Sequence, residues 1–129
     1  MKSKILGVLL LLFSFTSCIK KQVEGVQVVD VATYEKQLKS PEIQLIDVRT
    51  PEEYSQGHIE NAKNINIMAN DFDAQVVSLD KNKPVMVYCK SGGRSARASE
   101  RLKELGFTNI TDLEGGITNW KSEDKPIVK

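Results

Sequence analysis

The sequence predicts a small α/β domain, a parallel sheet of about five strands with helices on both faces. Three observations carry that prediction. Strand-like and helix-like stretches alternate along the chain, each pair taking roughly 25–35 residues. Pro84 to Tyr88 is a continuous apolar run, as expected of a central parallel strand covered on both faces. The chain has 129 residues, 40% hydrophobic and 27% charged, which suits one globular domain. Neither an internal repeat nor a low-complexity tract interrupts it.

The elements follow in order. Gln27 to Val29 is a short strand, and Asp30 can cap a helix whose apolar residues Val31, Tyr34 and Leu38 share one face. Ile43 to Val48 is a second strand. Thr50-Pro51-Glu52-Glu53 then starts a helix, with Thr50 as N-cap, Pro51 first in the helix and Glu53 completing a capping box. Ile65 and Ile67 alternate as in a third short strand, and Phe72, Val76 and Leu79 mark another helical face. After the central strand, Ser95 to Leu105 reads as a helix with Ala98, Leu102 and Leu105 facing inward and Gly106 closing it. Asn109 to Leu113 is the fifth strand, and Ile117 to Ser122 a last short helix carrying Trp120.

The amino terminus reads as separate from this domain. Lys2 and Lys4 precede an apolar run from Ile5 to Phe13, then the small polar residues Ser14, Thr16 and Ser17. That is the pattern of a secretory signal peptide over residues 1–17, too short for the about 20 apolar residues that span a bilayer. Phe15-Thr16-Ser17-Cys18 resembles the lipobox of bacterial lipoproteins, with Phe15 where Leu is usual. The resemblance implies cleavage before Cys18, acylation of that cysteine and a periplasmic protein anchored by lipid to a membrane of the bacterial cell envelope. A soluble secreted protein is the alternative. Residues 18–26 become the lipidated cysteine and a tether, and 27–129 the folded domain.

Net charge is +1, and removal of residues 1–17 leaves 16 basic against 17 acidic residues. Bulk charge therefore draws the protein to neither nucleic acid nor anionic lipid. Cysteine usage says more. The chain has two cysteines, and with Cys18 acylated Cys89 has no disulfide partner. A solitary thiol in an oxidising compartment implies a task for it.

Cys89 ends the central strand, at the sheet edge where parallel α/β folds build their sites. It is followed by Lys90-Ser91-Gly92-Gly93-Arg94-Ser95 and a helix. Gly92 and Gly93 can take positive φ, so that successive backbone N–H groups turn toward one point. The positive end of the helix aims at the same point, and Lys90 and Arg94 bring formal charge near it. Each of these favours a thiolate. The bland alternative is a buried structural cysteine before an ordinary glycine turn.

The loop Cys89 to Ser95 resembles the active-site loop of single-domain rhodaneses. Ile46 to Tyr54, Gly57-His58-Ile59 and Ala62 to Ile65 resemble that family's upstream signature, and Leu113-Glu114-Gly115-Gly116 with Trp120 its closing one. Asn61 stands where the family commonly has Gly, and Asn66 where it often has Pro; both are turn positions. The resemblance implies a rhodanese-like α/β fold and a thiosulfate sulfurtransferase. Cys89 is then the nucleophile, which takes the outer sulfur of a small anionic donor such as thiosulfate as a persulfide. It passes that sulfur to cyanide in the assay or to a small-molecule or protein thiol in life. No metal or organic cofactor is implied, and the domain reads as a monomer. Residues Lys90, Ser91, Gly92, Gly93, Arg94 and Ser95 are the substrate-binding candidates, their amides forming a cradle and Lys90 and Arg94 meeting the anionic donor.

Asp47 and Arg49 straddle a strand end nearby and read as an ion pair or hydrogen-bond brace supporting the loop, with Glu52, Glu53 or Glu60 as further partners. His58, the single histidine, is more economically structural, because a loop-held thiolate needs no base. Tyr54 and Trp120 read as core aromatics. Two other functions compete. A phosphatase or arsenate reductase of the related type would need H-C-x5-R, whereas Tyr88 precedes this cysteine and four residues separate Cys89 from Arg94. A non-catalytic sulfur-binding or sensing module is the other, against which Cys89 and Arg94 are both retained.

Overall fold

A computed structural model describes residues 23–129. The expected signal peptide, Cys18 and most of the tether lie outside the described residues. Five parallel strands run β1 (Val26–Val29), β2 (Gln44–Asp47), β3 (Lys63–Asn64), β4 (Val85–Tyr88) and β5 (Ile110–Leu113). Their order in the sheet is β1-β5-β4-β2-β3. The central β4 is buried along its whole length, which is why its sequence is apolar without alternation.

Helices cover both faces, as expected. On one face lie α1 (Val31–Gln37), α2 (Pro51–Gln56) and α5 (Gly116–Ser122), packed through Val31, Tyr34, Tyr54, Ile117 and Trp120. On the other lie α3 (Phe72–Val76) and α4 (Gly93–Glu104), packed through Phe72, Val76, Ala98 and Leu102. Each such buried apolar side chain contributes about 1.5–3 kcal/mol, so the two layers hold the sheet edge rigidly in place.

The local signals act as the sequence implies. Asp30 Oδ1 accepts from the Thr33 amide at 2.9 Å. Thr50 and Glu53 form the reciprocal capping box at the start of α2. Most element boundaries shift by a residue or two. The first strand begins at Val26, one residue inside the expected tether, because Gly25 already offers its carbonyl to the Ile110 amide. The third strand is Lys63–Asn64 rather than Ile65–Ile67. Its partner β2 ends at Asp47, and Ile65 and Ile67 run past that end, bonding the carbonyls of Asp47 and Val48. Finally, α4 begins at Gly93, two residues before the expected Ser95.

The two departures from the family pattern find local solutions. Asn61 has φ +70°, a left-handed conformation that asparagine tolerates better than most residues, so it replaces glycine there. Asn66 makes its turn through its side chain, whose Oδ1 accepts from the Met68 amide at 3.0 Å.

Candidate active site

Strand β4 delivers Cys89 to the carboxyl edge of the sheet, between the ends of β2 and β5. The residue is 1% exposed and its sulfur lies at the floor of the loop that follows. The Gly92 amide donates to Sγ at 3.0 Å. Sγ and Ser95 Oγ are 3.3 Å apart, and Ser95 Oγ also lies 3.2 Å from the Gly92 carbonyl. As a thiol the sulfur donates to the hydroxyl. As a thiolate it accepts instead, and the hydroxyl proton turns from the carbonyl to the sulfur.

Gly92 carries the positive φ, +117°, that points its amide inward. Gly93 does not share it; it is the first residue of α4, and open space surrounds the position a Cβ would take. The first bond within the helix runs from the Ala96 amide to the Gly92 carbonyl. The amides of Gly93, Arg94 and Ser95 therefore have no acceptor in the preceding turn, as at every helix start, and form the positive end of the 12-residue helix that follows the loop.

Arg94 was expected at the anionic donor. Its guanidinium is instead clamped in two parallel bonds by Glu53, at 2.6 and 2.9 Å. The Arg94 bond, ahead of the opposing effect of partial burial, holds the Glu53 carboxyl at about 2. Glu53 thus does two things: it caps α2 through Thr50 and ties that helix to the active loop. Arg94 keeps its charge within Coulombic reach of Cys89. Lys90 and Ser91 are exposed on the loop.

Asp47 and Arg49 form the buried brace, 0% and 4% exposed. Arg49 Nε and Nη2 meet both carboxylate oxygens of Asp47, and Nη2 also donates to the Gly57 carbonyl at 2.7 Å. The brace joins the turn after β2 to Gly57 at the end of α2, the helix from whose first turn Glu53 reaches Arg94. His58 follows Gly57: its ring stacks on Tyr54 at 3.7 Å, and its backbone exchanges two hydrogen bonds with Val128.

Three contributors escaped the sequence reading. The Ile117 and Thr118 amides at the start of α5 donate to the carbonyls of Cys89 and Lys90, at 2.9 and 3.0 Å. A Cβ on Gly116 would lie 2.5 Å from the Cys89 oxygen, so only glycine lets α5 approach this closely. The Gly115-Gly116 doublet was the available signal. The third is Asp112, paired with Val87 across β4 and β5 and 3% exposed, with Oδ1 unbonded among the described residues. Burial pushes its carboxyl up to about 6 against the opposing pull of Ser95. Nothing in its strand pattern separates it from a core position.

Fold and loop together define an α/β domain that places one cysteine, bonded by the Gly92 amide of its loop, at the carboxyl edge of a parallel sheet. The chain belongs to the rhodanese-like family, whose domain model matches residues 30–123. Thiosulfate sulfurtransferase 16, chloroplastic, of Arabidopsis thaliana is 40% identical over 91 residues, 63% of this chain and 76% of that protein. Protein HIGH ARSENIC CONTENT 1, mitochondrial, of the same plant is 36% identical over 110 residues, 78% of this chain and 64% of that protein. A crystal structure of a rhodanese-related protein from Thermoplasma volcanium superposes with a TM-score of 0.70 at 35% identity, covering 79% of this chain and 97% of that one. Relatives of this kind put the chain with the sulfurtransferases of the family.

Proposed function

We propose that the protein moves a sulfane sulfur from a small anionic donor such as thiosulfate to a thiol acceptor through a persulfide on Cys89. The observation that carries this reading is the Gly92 amide, 3.0 Å from Sγ at the start of α4. An amide and a helix terminus aimed at one sulfur stabilise negative charge on it, and do so equally when the charge sits one sulfur further out. In the first half-reaction the Cys89 thiolate attacks the outer sulfur of thiosulfate. An S–S bond forms to Sγ, the bond to the sulfonate sulfur breaks, and its electron pair leaves with sulfite. In the second, a thiolate or cyanide attacks that outer sulfur, and the electron pair of the breaking bond returns to Sγ. Charge balances in both halves without a general base, in keeping with a histidine engaged elsewhere.

The test is mass spectrometry of the intact protein after thiosulfate and removal of excess reagent. Wild type should gain the mass of one sulfur atom on the Cys89 peptide, and Cys89→Ser should gain none. Thiocyanate formation from thiosulfate and cyanide should follow the same pattern. A wild type that neither loads nor turns over, with polysulfide failing too, would leave a sulfur-binding module as the better reading. The relative named for arsenic makes arsenate reduction the rival activity to assay alongside. The short loop between Cys89 and Arg94 favours a single sulfur over a tetrahedral oxyanion. We further propose that Cys18 anchors the protein by lipid at the cell envelope, which metabolic labelling with a fatty-acid probe in wild type and Cys18→Ala would test.

A further inference from the structure

Beside the active loop, on the side opposite α4, a cleft of about 260 Å³ opens between α2 and α5. Lys90, Thr118 and Lys121 line one side of it, and Arg49, Gln56 and Gly57 the other. Its charge is unbalanced. Arg49 is neutralised by Asp47, and Glu53, which also reaches the cleft, by Arg94. Among the described residues neither Lys90 nor Lys121 enters any ion pair, and both side chains are exposed. Two uncompensated ammonium groups therefore face one concavity. Three of the residues lining the cleft also adjoin the nucleophile: Lys90 follows Cys89 in the chain, and the amides of Ile117 and Thr118 bond the carbonyls of Cys89 and Lys90. A larger cleft of about 760 Å³, by Pro41, Ile43 and Trp120, is lined by no residue of the Cys89 loop and holds no such charge excess beside a nucleophile.

We infer that this cleft receives the sulfur acceptor and selects a small thiol bearing a carboxylate, held by Lys121 and the Thr118 hydroxyl while its sulfur faces the persulfide. The inference rests on the sulfur-transfer reading above and adds the acceptor class. Thiosulfate carries its charge on the departing sulfonate and needs only the loop. An acceptor must place a sulfur at the loop and its remaining atoms somewhere adjacent, and the cleft supplies both the volume and the charge. The acceptor thiolate forms a bond to the outer sulfur, the bond from that sulfur to Cys89 Sγ breaks, and the electron pair stays on Sγ. Lys121 touches only the carboxylate, so its effect is on acceptor recognition and not on the reacting atoms.

Wild type and variants would be loaded with thiosulfate, freed of excess reagent and discharged with 3-mercaptopropionate or 3-mercaptopropionamide. These share a thiol and chain length and differ in the carboxylate. The quantity read is the ratio of the two discharge rates, followed by loss of the added sulfur mass. The ratio should fall about threefold in Lys121→Ala and about tenfold in Lys121→Glu at low ionic strength, and the differences should fade with added salt. Lys121→Arg should keep the wild-type ratio. So should Lys103→Glu, which makes the same charge change at the far end of α4. An unchanged ratio in Lys121→Glu, or an equal drop in Lys103→Glu, would overturn the acceptor site. Failure of every protein to load sulfur would strike the sulfur-transfer reading instead, and so remains distinguishable.

Discussion

Arg94 is where the sequence and the structure differ most usefully. An arginine in a cysteine loop invites the reading that it grips substrate, yet its fork is filled by Glu53, which the sequence offers as a capping residue and as one of three candidate partners for the Asp47–Arg49 brace. Sequence distance hides such a pair, since 41 residues separate the partners. The pair has opposing consequences that kinetics can read. Arg94→Ala should raise KM for thiosulfate about threefold to tenfold, by removing charge near the loop. Glu53→Gln should lower it, because the guanidinium is released toward the donor. Equal and parallel loss in both variants would mean that the pair serves only to hold the loop. Because Arg94 keeps the Glu53 carboxyl at about 2, below its ordinary 4.5, whatever stability the pair contributes is fully present above about pH 4.5. It is lost as pH falls toward 2. The placement of Cys89 at the strand end and the inward amide of Gly92 were readable from the sequence, since strand, glycine and helix lie in one stretch of chain. Glu53, Asp112 and Lys121 were not, because each reaches the site from another segment.

Between elements, the decisive contact is α5 against the active loop. The sequence reading recovers the alternation of strands and helices because each rests on local periodicity and capping, and errs at Lys63–Asn64 because that strand is defined by where β2 stops. It misses the role of α5 for the same reason: two backbone amides hold two carbonyls, and side-chain patterns say nothing about them. Gly116 makes the approach possible, with φ +60° and a Cβ position 2.5 Å from a carbonyl oxygen. Gly116→Ala should cost about 1–2 kcal/mol for the left-handed backbone alone. Since the obstacle is backbone, the loop must also shift, and sulfur loading should slow by about tenfold or more. Thermal melts and the rate of persulfide formation would measure the two effects separately. A variant that melts lower but loads at the wild-type rate would show that α5 supports the fold without shaping the loop. Gly93→Ala is the matched control, because its Cβ meets open space in an ordinary helical position. It should load normally.

At the scale of the whole molecule, the buried Asp112 sets a pH dependence that the surface ion pairs do not. With its carboxyl pushed up from 3.8 to about 6, the folded protein holds that proton more tightly than the unfolded chain does. Stability from this group therefore declines as pH rises from about 4 through 6, and the cost of an ionised buried carboxylate is complete above that range. Between about pH 5 and pH 8, wild type should lose about 1–1.5 kcal/mol that Asp112→Asn retains. Urea denaturation at the two pH values would show it, and parallel losses in both proteins would refute it. The order of the sheet has a consequence of a different kind. Among the described residues, strand β1 finds its sole neighbour in β5, with Val26 beside Ile110. A chain leaving the ribosome amino end first thus carries β1 without that neighbour until Ile110–Leu113 has been made. Nothing along the way offers that segment a permanent home. The sheet is completed by its last strand entering between its first and its fourth, so β5 must be made before the architecture can lock.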